Sequence, residues 1–264
     1  MATVSGMGTR ATDGSAGDAN YGEIGSSYSR YRRPDPRIAA VIREALGDAR
    51  TVLNVGAGTG SYEPADREVT AVEPSAAMRA QRPADLPSAV DATAEQLPFA
   101  DDSFDASMAT FSVHQWRDVG AGLCEMRRVT RGPVVILTCD PTRVEEFWLR
   151  EYAPEILAVE ARRYPALEVL AEGLGGNVSC SVVAIPQVCT DGFTEAYYGR
   201  PEHLLDAEAQ LSCSAWSFVE PAVIARFTQQ LTVDLLTGTW DAKHGALRTL
   251  PQYEGSLVLV FAEP

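Results

Sequence analysis

Val52-Leu53-Asn54-Val55-Gly56-Ala57-Gly58-Thr59-Gly60 is the stretch that decides the fold. Its β-branched apolar start reads as a strand, and the glycines that end it allow a tight turn and close backbone approach to a ligand. A dinucleotide fingerprint would need a further glycine where Ser61 stands, and Pro64 leaves almost no helix before the next apolar run at Val69. Without a long helix N-terminus to receive a pyrophosphate, nicotinamide or flavin chemistry ranks last. A P-loop is excluded because no Gly-Lys-Ser/Thr follows.

Outward from this turn the chain alternates between short apolar runs and helical stretches. Strands are predicted over 51–55, 69–72, 88–90, 105–110 and 134–138. A helix opens at Ser75, and another runs over 117–130 with Val119, Leu123, Met126 and Val129 on one face. Upstream, Ile38, Val41, Ile42 and Leu46 have helical spacing behind Asp35 and Pro36, a capping residue and a first-turn proline. Such alternation implies an α/β fold, a doubly wound and mostly parallel sheet, with ligands at the carboxyl ends of its strands.

Beyond Asp140 the rhythm loosens: 145–174 reads as helical, 178–185 as a strand and 255–262 as a terminal strand. The roughly seventy residues between those two strands carry Tyr197, Tyr198, Trp216 and Trp240, and suit a helical C-terminal substrate insertion. Residues 1–20, rich in Gly, Ser, Thr, Ala and Asp, read as a disordered leader. The division expected is a single domain over 21–264: an N-terminal cap segment at 21–50, a cofactor-binding core at 51–140 and a substrate-side elaboration at 141–264.

Composition bounds the function. The 264 residues carry 22 Lys+Arg against 36 Asp+Glu, a formal charge of −14, which disfavours nucleic acid as a partner. No apolar run approaches the ~18 residues of a membrane span. The N-terminus shows no charged-then-apolar signal pattern, so a cytoplasmic location is expected. Five scattered cysteines without metal spacing read as reduced thiols, small buried hydrophobes rather than a zinc site, and no metal is expected.

Three further segments carry chemistry. Glu73 closes the second strand, nineteen residues after Asn54, where a carboxylate can accept both hydroxyls of a ribose. After the third strand, Asp91-Ala-Thr-Ala94-Glu95-Gln-Leu-Pro-Phe99 offers polar groups around Ala94 and Glu95 to an adenine edge; the alternative is an ordinary acidic loop. Thr110-Phe111-Ser112-Val113-His114-Gln115-Trp116 ends the central strand.

As a set, these segments resemble the class I S-adenosylmethionine-dependent methyltransferases, particularly the small-molecule branch with A-E-x-L-P-F and F-D loops, over about residues 21–140. The resemblance implies a seven-stranded sheet with an antiparallel last strand and S-adenosylmethionine as cofactor. It implies Gly56, Ala57 and Gly58 against the methionine and ribose, Glu73 on the ribose hydroxyls, Ala94 and Glu95 at the adenine, and Thr110 near the sulfonium. Asn54 departs from the pattern, because the family usually carries an acid there; Glu63 is the candidate to supply that charge to the methionine amino group. In the segment Tyr21…Tyr28-Ser-Arg-Tyr31-Arg32-Arg33, Tyr28 can face the sulfonium as a cation–π partner and Arg33 can pair with the cofactor carboxylate.

His114 is either the general base for the acceptor or, with Ser112 and Trp116, a wall of the cofactor pocket. Tyr21, Trp148 and Tyr197 are candidate acceptor contacts, with core packing as the other reading of each aromatic. The reading is a methyl transfer to O, N or C of a small organic acceptor, in a chain that also suits a homo-oligomer. The alternatives are a tRNA-modifying methyltransferase and a non-catalytic cofactor-binding subunit.

Overall fold

In the computed structural model, residues 28–264 are described, and the 1–20 leader, Tyr21 and the side chain of Tyr28 lie outside the described residues. The strands are β1 (Thr51–Val55), β2 (Glu68–Val72), β3 (Ala106–Thr110), β4 (Val134–Cys139), β5 (Asn177–Val182), β6 (Ile185–Pro186), β7 (Gln252–Tyr253) and β8 (Leu257–Glu263). Six of them form one sheet in the order β2-β1-β3-β4-β8-β5, while β6 and β7 pair separately. β1 runs parallel to both neighbours, with Leu53 opposite Thr70 on β2 and Ser107 on β3. β8 is antiparallel to β4, with Ile136 opposite Val260, and β5 is antiparallel on its other side.

The expected seven strands become six. The 88–90 strand shrinks to one parallel bridge, in which Val90 donates to the Ala71 carbonyl (2.8 Å) and accepts from the Glu73 N–H (3.0 Å) beyond β2. Pro83 and Pro87 lead into it, and a segment punctuated by prolines cannot extend a ladder. The antiparallel last strand stands as expected.

The longer helices are α1 (Pro36–Ala45), α2 (Ala76–Ala80), α3 (Val119–Val129), α4 (Pro154–Arg163), α5 (Leu167–Leu174), α6 (Pro221–Thr237) and α7 (Thr239–His244). Asp35 caps α1 by accepting the Arg37 N–H, Pro36 fills its first turn, and Ile38 and Ile42 are buried. Asp118 caps α3 in the same way through the Ala121 N–H, and Leu123, Met126 and Val129 form its buried face. The helical stretch expected over 145–174 is broken, because Pro154 and Pro165 disfavour helical backbone in the residue before each. α4 therefore starts afresh at Pro154, and Tyr164 leaves it in an extended conformation.

The sheet separates two apolar layers, one built on Ile38, Leu137, Phe147 and Trp148, the other on Leu53, Leu123, Met126 and Val260. Every residue of β4 is buried, as a central strand covered on both faces requires. Cys139, Cys189 and Cys213 are buried as expected, whereas Cys124 and Cys180 are exposed. Among the described residues no helix is long and apolar enough to cross a membrane, and no cluster of side chains could hold a metal.

Candidate active site

The carboxyl ends of β1, β2 and β3 open onto one cavity of about 410 Å³, within the ~300–1,000 Å³ of small-molecule sites. Each strand contributes the segment that follows it. After β1 the chain turns at Gly56, whose N–H and that of Ala57 both reach the Val72 carbonyl at 2.9 Å, tying the turn to β2. Gly56 and Gly58 have φ of +71° and +52°. After β2 comes Glu73, 7% exposed. Its Oε2 accepts the Gly58 N–H at 2.9 Å and its Oε1 the Ser75 N–H at 2.8 Å, so the glycine turn and the start of α2 are fastened to one carboxylate. Burial pushes this acid above its usual range, against the pull of those two N–H groups and of Arg79 and Arg82.

Ala94 and Glu95 line the same cavity. The Glu95 Oε1 accepts the backbone N–H of Arg117 (2.8 Å) and of Asp118 (3.1 Å), which fixes this loop to the start of α3. Burial works to raise the Glu95 pKa, but its own backbone N–H, those of Asp118 and Arg117, and the Thr93 side chain together outweigh it and hold the acid below its usual value. Thr110 ends β3, and Phe111 follows with φ of +50°. A bulky residue rarely takes that conformation, and here the Phe111 N–H is held by the Leu137 carbonyl at 2.9 Å.

Gly56, Ala57, Gly58, Glu73, Ala94, Glu95 and Thr110 thus converge on one cavity, which Ser112 and Trp116 also line, whereas Arg33, Asn54, Glu63, His114, Trp148 and Tyr197 stand outside its lining. Asn54 is fully buried and donates to the Glu63 Oε1 at 3.0 Å. The other Glu63 oxygen is paired with Arg82 at 2.9 Å, both side chains 3% exposed or less. The negative charge assigned to Glu63 is therefore spent on an arginine rather than offered to the cavity. Arg33 is exposed and outside the wall; its neighbour Arg32 lines it. An extended segment points successive side chains to opposite faces, so an inward Arg32 turns Arg33 outward. Trp148 is a core residue, donating to the Tyr198 carbonyl at 3.1 Å and packed edge-on against Trp240. Tyr197 is buried and stacked on His203, away from the cavity.

Three residues that the sequence reading missed close the cavity. Arg32 donates to Asp191 at 2.5 Å, and the Tyr62 hydroxyl donates to the same carboxylate at 2.8 Å. Asp191 belongs to the C-terminal insertion and Tyr62 to the glycine turn, so one buried acid joins all three parts of the chain. The Arg32 guanidinium also covers the Phe111 ring, 4.9 Å from its centroid. Only the order Arg-Arg near Tyr31 hinted at this in the sequence, since Asp191 sits 159 residues away from Arg32. Asp191→Ala leaves a buried arginine without its carboxylate and is expected to cost about 3 kcal/mol. Chemical denaturation checks this, and a loss under about 0.5 kcal/mol contradicts it.

His114 lies behind Phe111, on a second and smaller cavity of about 30 Å³ that shares Arg32 and Phe111 with the first. It is 5% exposed, its ring meets Tyr164 edge-on at 4.8 Å, and its Nδ1 has no hydrogen-bond partner. Burial first, then the charges of Arg163 and Arg32, push its pKa well below that of a free imidazole. It is a neutral ring at physiological pH.

Comparison with known proteins gives a consistent picture. A family profile described as "Methyltransferase domain" matches residues 53–136. A malonyl-[acyl-carrier protein] O-methyltransferase from Pseudescherichia vulneris is 31% identical over 164 residues, 58% of this chain and 65% of that protein, so the chain spans just under two thirds of this relative's length. A crystal structure from Anabaena variabilis, described as a methyltransferase from an antibiotic biosynthesis pathway, superposes with a TM-score of 0.81 at 29% identity, covering 89% of this chain and 99% of that one. An S-adenosylmethionine-dependent methyltransferase from Thermotoga maritima shares the fold, with a TM-score of 0.51 at 16% identity over 92% of this chain and 93% of that one.

Proposed function

Since the chain belongs to the class I S-adenosylmethionine-dependent methyltransferases, we propose that it transfers the methyl group of that cofactor to a small organic acceptor. The observation that carries this reading is the convergence of the glycine turn, Glu73, the Ala94–Glu95 loop and Thr110 on one cavity.

The residues present fit the cofactor. Glu73 offers a buried carboxylate whose two oxygens each hold one backbone N–H and retain lone pairs for ribose hydroxyls. Ala94 is small enough for a planar ring to lie against the loop, and Glu95 holds that loop in place. Asn54 keeps its side-chain oxygen buried without a partner, an acceptor beside the turn where the family usually carries an acid. Bound there, the cofactor supplies a methyl group already activated by its positive sulfur. The protein's part is alignment and exclusion of water, by which a bimolecular displacement becomes nearly unimolecular. The Arg32–Asp191–Tyr62 closure serves that exclusion.

The charge of −14 supports a small acceptor over RNA. The antibiotic-pathway description of the Anabaena protein supports an acceptor from secondary metabolism. Calorimetric titration tests the reading: S-adenosylmethionine and S-adenosylhomocysteine are expected to bind with dissociation constants on the order of micromolar, about −8 kcal/mol. No heat from either ligand would end the proposal.

A further inference from the structure

The smaller cavity lies directly across Phe111 and Arg32 from the cofactor cavity, and these two residues line both. Phe111 directly follows Thr110, where β3 ends, so the two cavities adjoin at the end of that strand. The lining of the smaller one is polar for so buried a place: Glu160 and Tyr164 from the end of α4, His114 from the turn after β3, and Thr194 from the insertion. Glu160 is the one carboxylate among its described lining residues. The Nδ1 of His114 is buried without a hydrogen-bond partner, and such a group is seldom left so unless something else satisfies it.

We propose that this inner cavity receives the reacting group of the acceptor, a hydroxyl or amine that still carries its proton, and that the Glu160 carboxylate takes that proton. The inference rests on the methyl-transfer reading above and deepens it. The acceptor's O–H or N–H bond breaks and its proton moves to a Glu160 oxygen. The nucleophile's electron pair forms the bond to the methyl carbon, and the carbon–sulfur pair stays on sulfur, which leaves as a neutral thioether. His114, aimed at the same space, positions the acceptor by a hydrogen bond at Nδ1.

The division of labour between the two groups follows from their surroundings. His114 is a weak base, since burial first, and then the positive charges of Arg163 and Arg32, disfavour its protonated form. Burial raises Glu160 to about 7, the pull of Arg163, Thr194 and Arg32 being too small to undo it. An acid poised there is charged often enough to accept a proton and basic enough to hold it. The other titratable groups facing it are Tyr164, Cys139 of β4, Glu195 of the insertion and Cys213, and burial holds all four neutral or shifted upward.

The test uses the whole protein, methyl-labelled S-adenosylmethionine and a pooled small-molecule extract of the source cells. Wild-type transfer is expected to rise with pH through about 7 and then level. Glu160→Gln is expected to lower transfer by about 100-fold and to remove that limb, while its affinity for S-adenosylhomocysteine stays within about twofold. Glu160→Asp should keep the limb. The labelled product should survive alkali, as methyl ethers and N-methyl amines do. Full transfer by Glu160→Gln overturns the proposal, and so does a product that releases methanol in alkali, the mark of an ester made from a carboxylate that has no proton to lose. If Glu160→Gln does not fold, a flat wild-type profile between about pH 6 and 8.5 overturns it alone. Failure of the wild type to bind S-adenosylhomocysteine sinks the methyl-transfer reading instead, so the two failures are distinguishable.

Discussion

Glu73→Ala is expected to weaken S-adenosylhomocysteine binding by at least about 100-fold, or ~2.7 kcal/mol, with the fold intact. The size follows from what the carboxylate does twice over. Toward the protein, it holds the Gly58 N–H at 2.9 Å and the Ser75 N–H at 2.8 Å, and so shapes both the glycine turn and the start of α2. Toward the cavity, on the proposed reading, it would accept from the ribose hydroxyls, and hydrogen bonds to a charged group are worth ~1.5–3 kcal/mol each. Alanine removes both functions. Glu73→Gln keeps the shape and one acceptor, so a smaller loss is expected from it. The pH dependence has a definite sign: burial raises the pKa of Glu73, and hydroxyl donors prefer the ionised form, so affinity is full above that pKa and falls as the acid protonates below it. Calorimetry across pH checks both parts. Wild-type affinity in Glu73→Ala would remove Glu73 from the site.

Legibility in the sequence followed the range of the interaction. The glycine turn, Glu73 and Thr110 could be read because each sits at the end of a strand whose apolar run is visible within a few residues. The cap at Asp35 was legible for the same reason, since a cap and its helix are neighbours in the chain. The 88–90 strand failed for a local reason as well: its valine survives as a bridge, and its prolines deny it a ladder.

What could not be read depends on pairs far apart in the chain. Glu63 and Arg82 meet across the turn, and nothing within the Ser61-Tyr-Glu-Pro segment says that the charge is already taken. Whether Arg32 or Arg33 faces inward is decided by Asp191, far along in the insertion. Trp148 and Tyr197 were drawn to the pocket by their aromatic character, but large rings fill a core as readily as a site, and these two are buried in it. Glu160 lay hidden in an ordinary amphipathic helix, where an acid two residues before a pair of arginines looks like a solvated face until the insertion closes over it.

Gly56→Ala is expected to destabilise the fold by about 3 kcal/mol and to reduce cofactor affinity, and a second glycine provides the control. Gly56 and Gly47 both have left-handed backbone, at φ of +71° and +54°. A Cβ on Gly47 would meet nothing within 4 Å, so Gly47→Ala carries the conformational cost alone, ~1–2 kcal/mol. A Cβ on Gly56 would lie 2.6 Å from the Ser112 Cβ and 2.8 Å from its Oγ. Ser112 cannot retreat freely, because its hydroxyl donates to the Val55 carbonyl at 2.9 Å, next to the turn itself. The added methyl therefore pushes apart the segments that follow β1 and β3, two walls of the cofactor cavity, and adds overpacking of ~1–3 kcal/mol to the backbone cost. Ser112→Gly in the Gly56→Ala background should recover the contact part and leave the conformational part. Denaturation of the four proteins gives the comparison, and Gly56→Ala falling within about 0.5 kcal/mol of Gly47→Ala would show that the close approach of the two turns is not what requires glycine at 56.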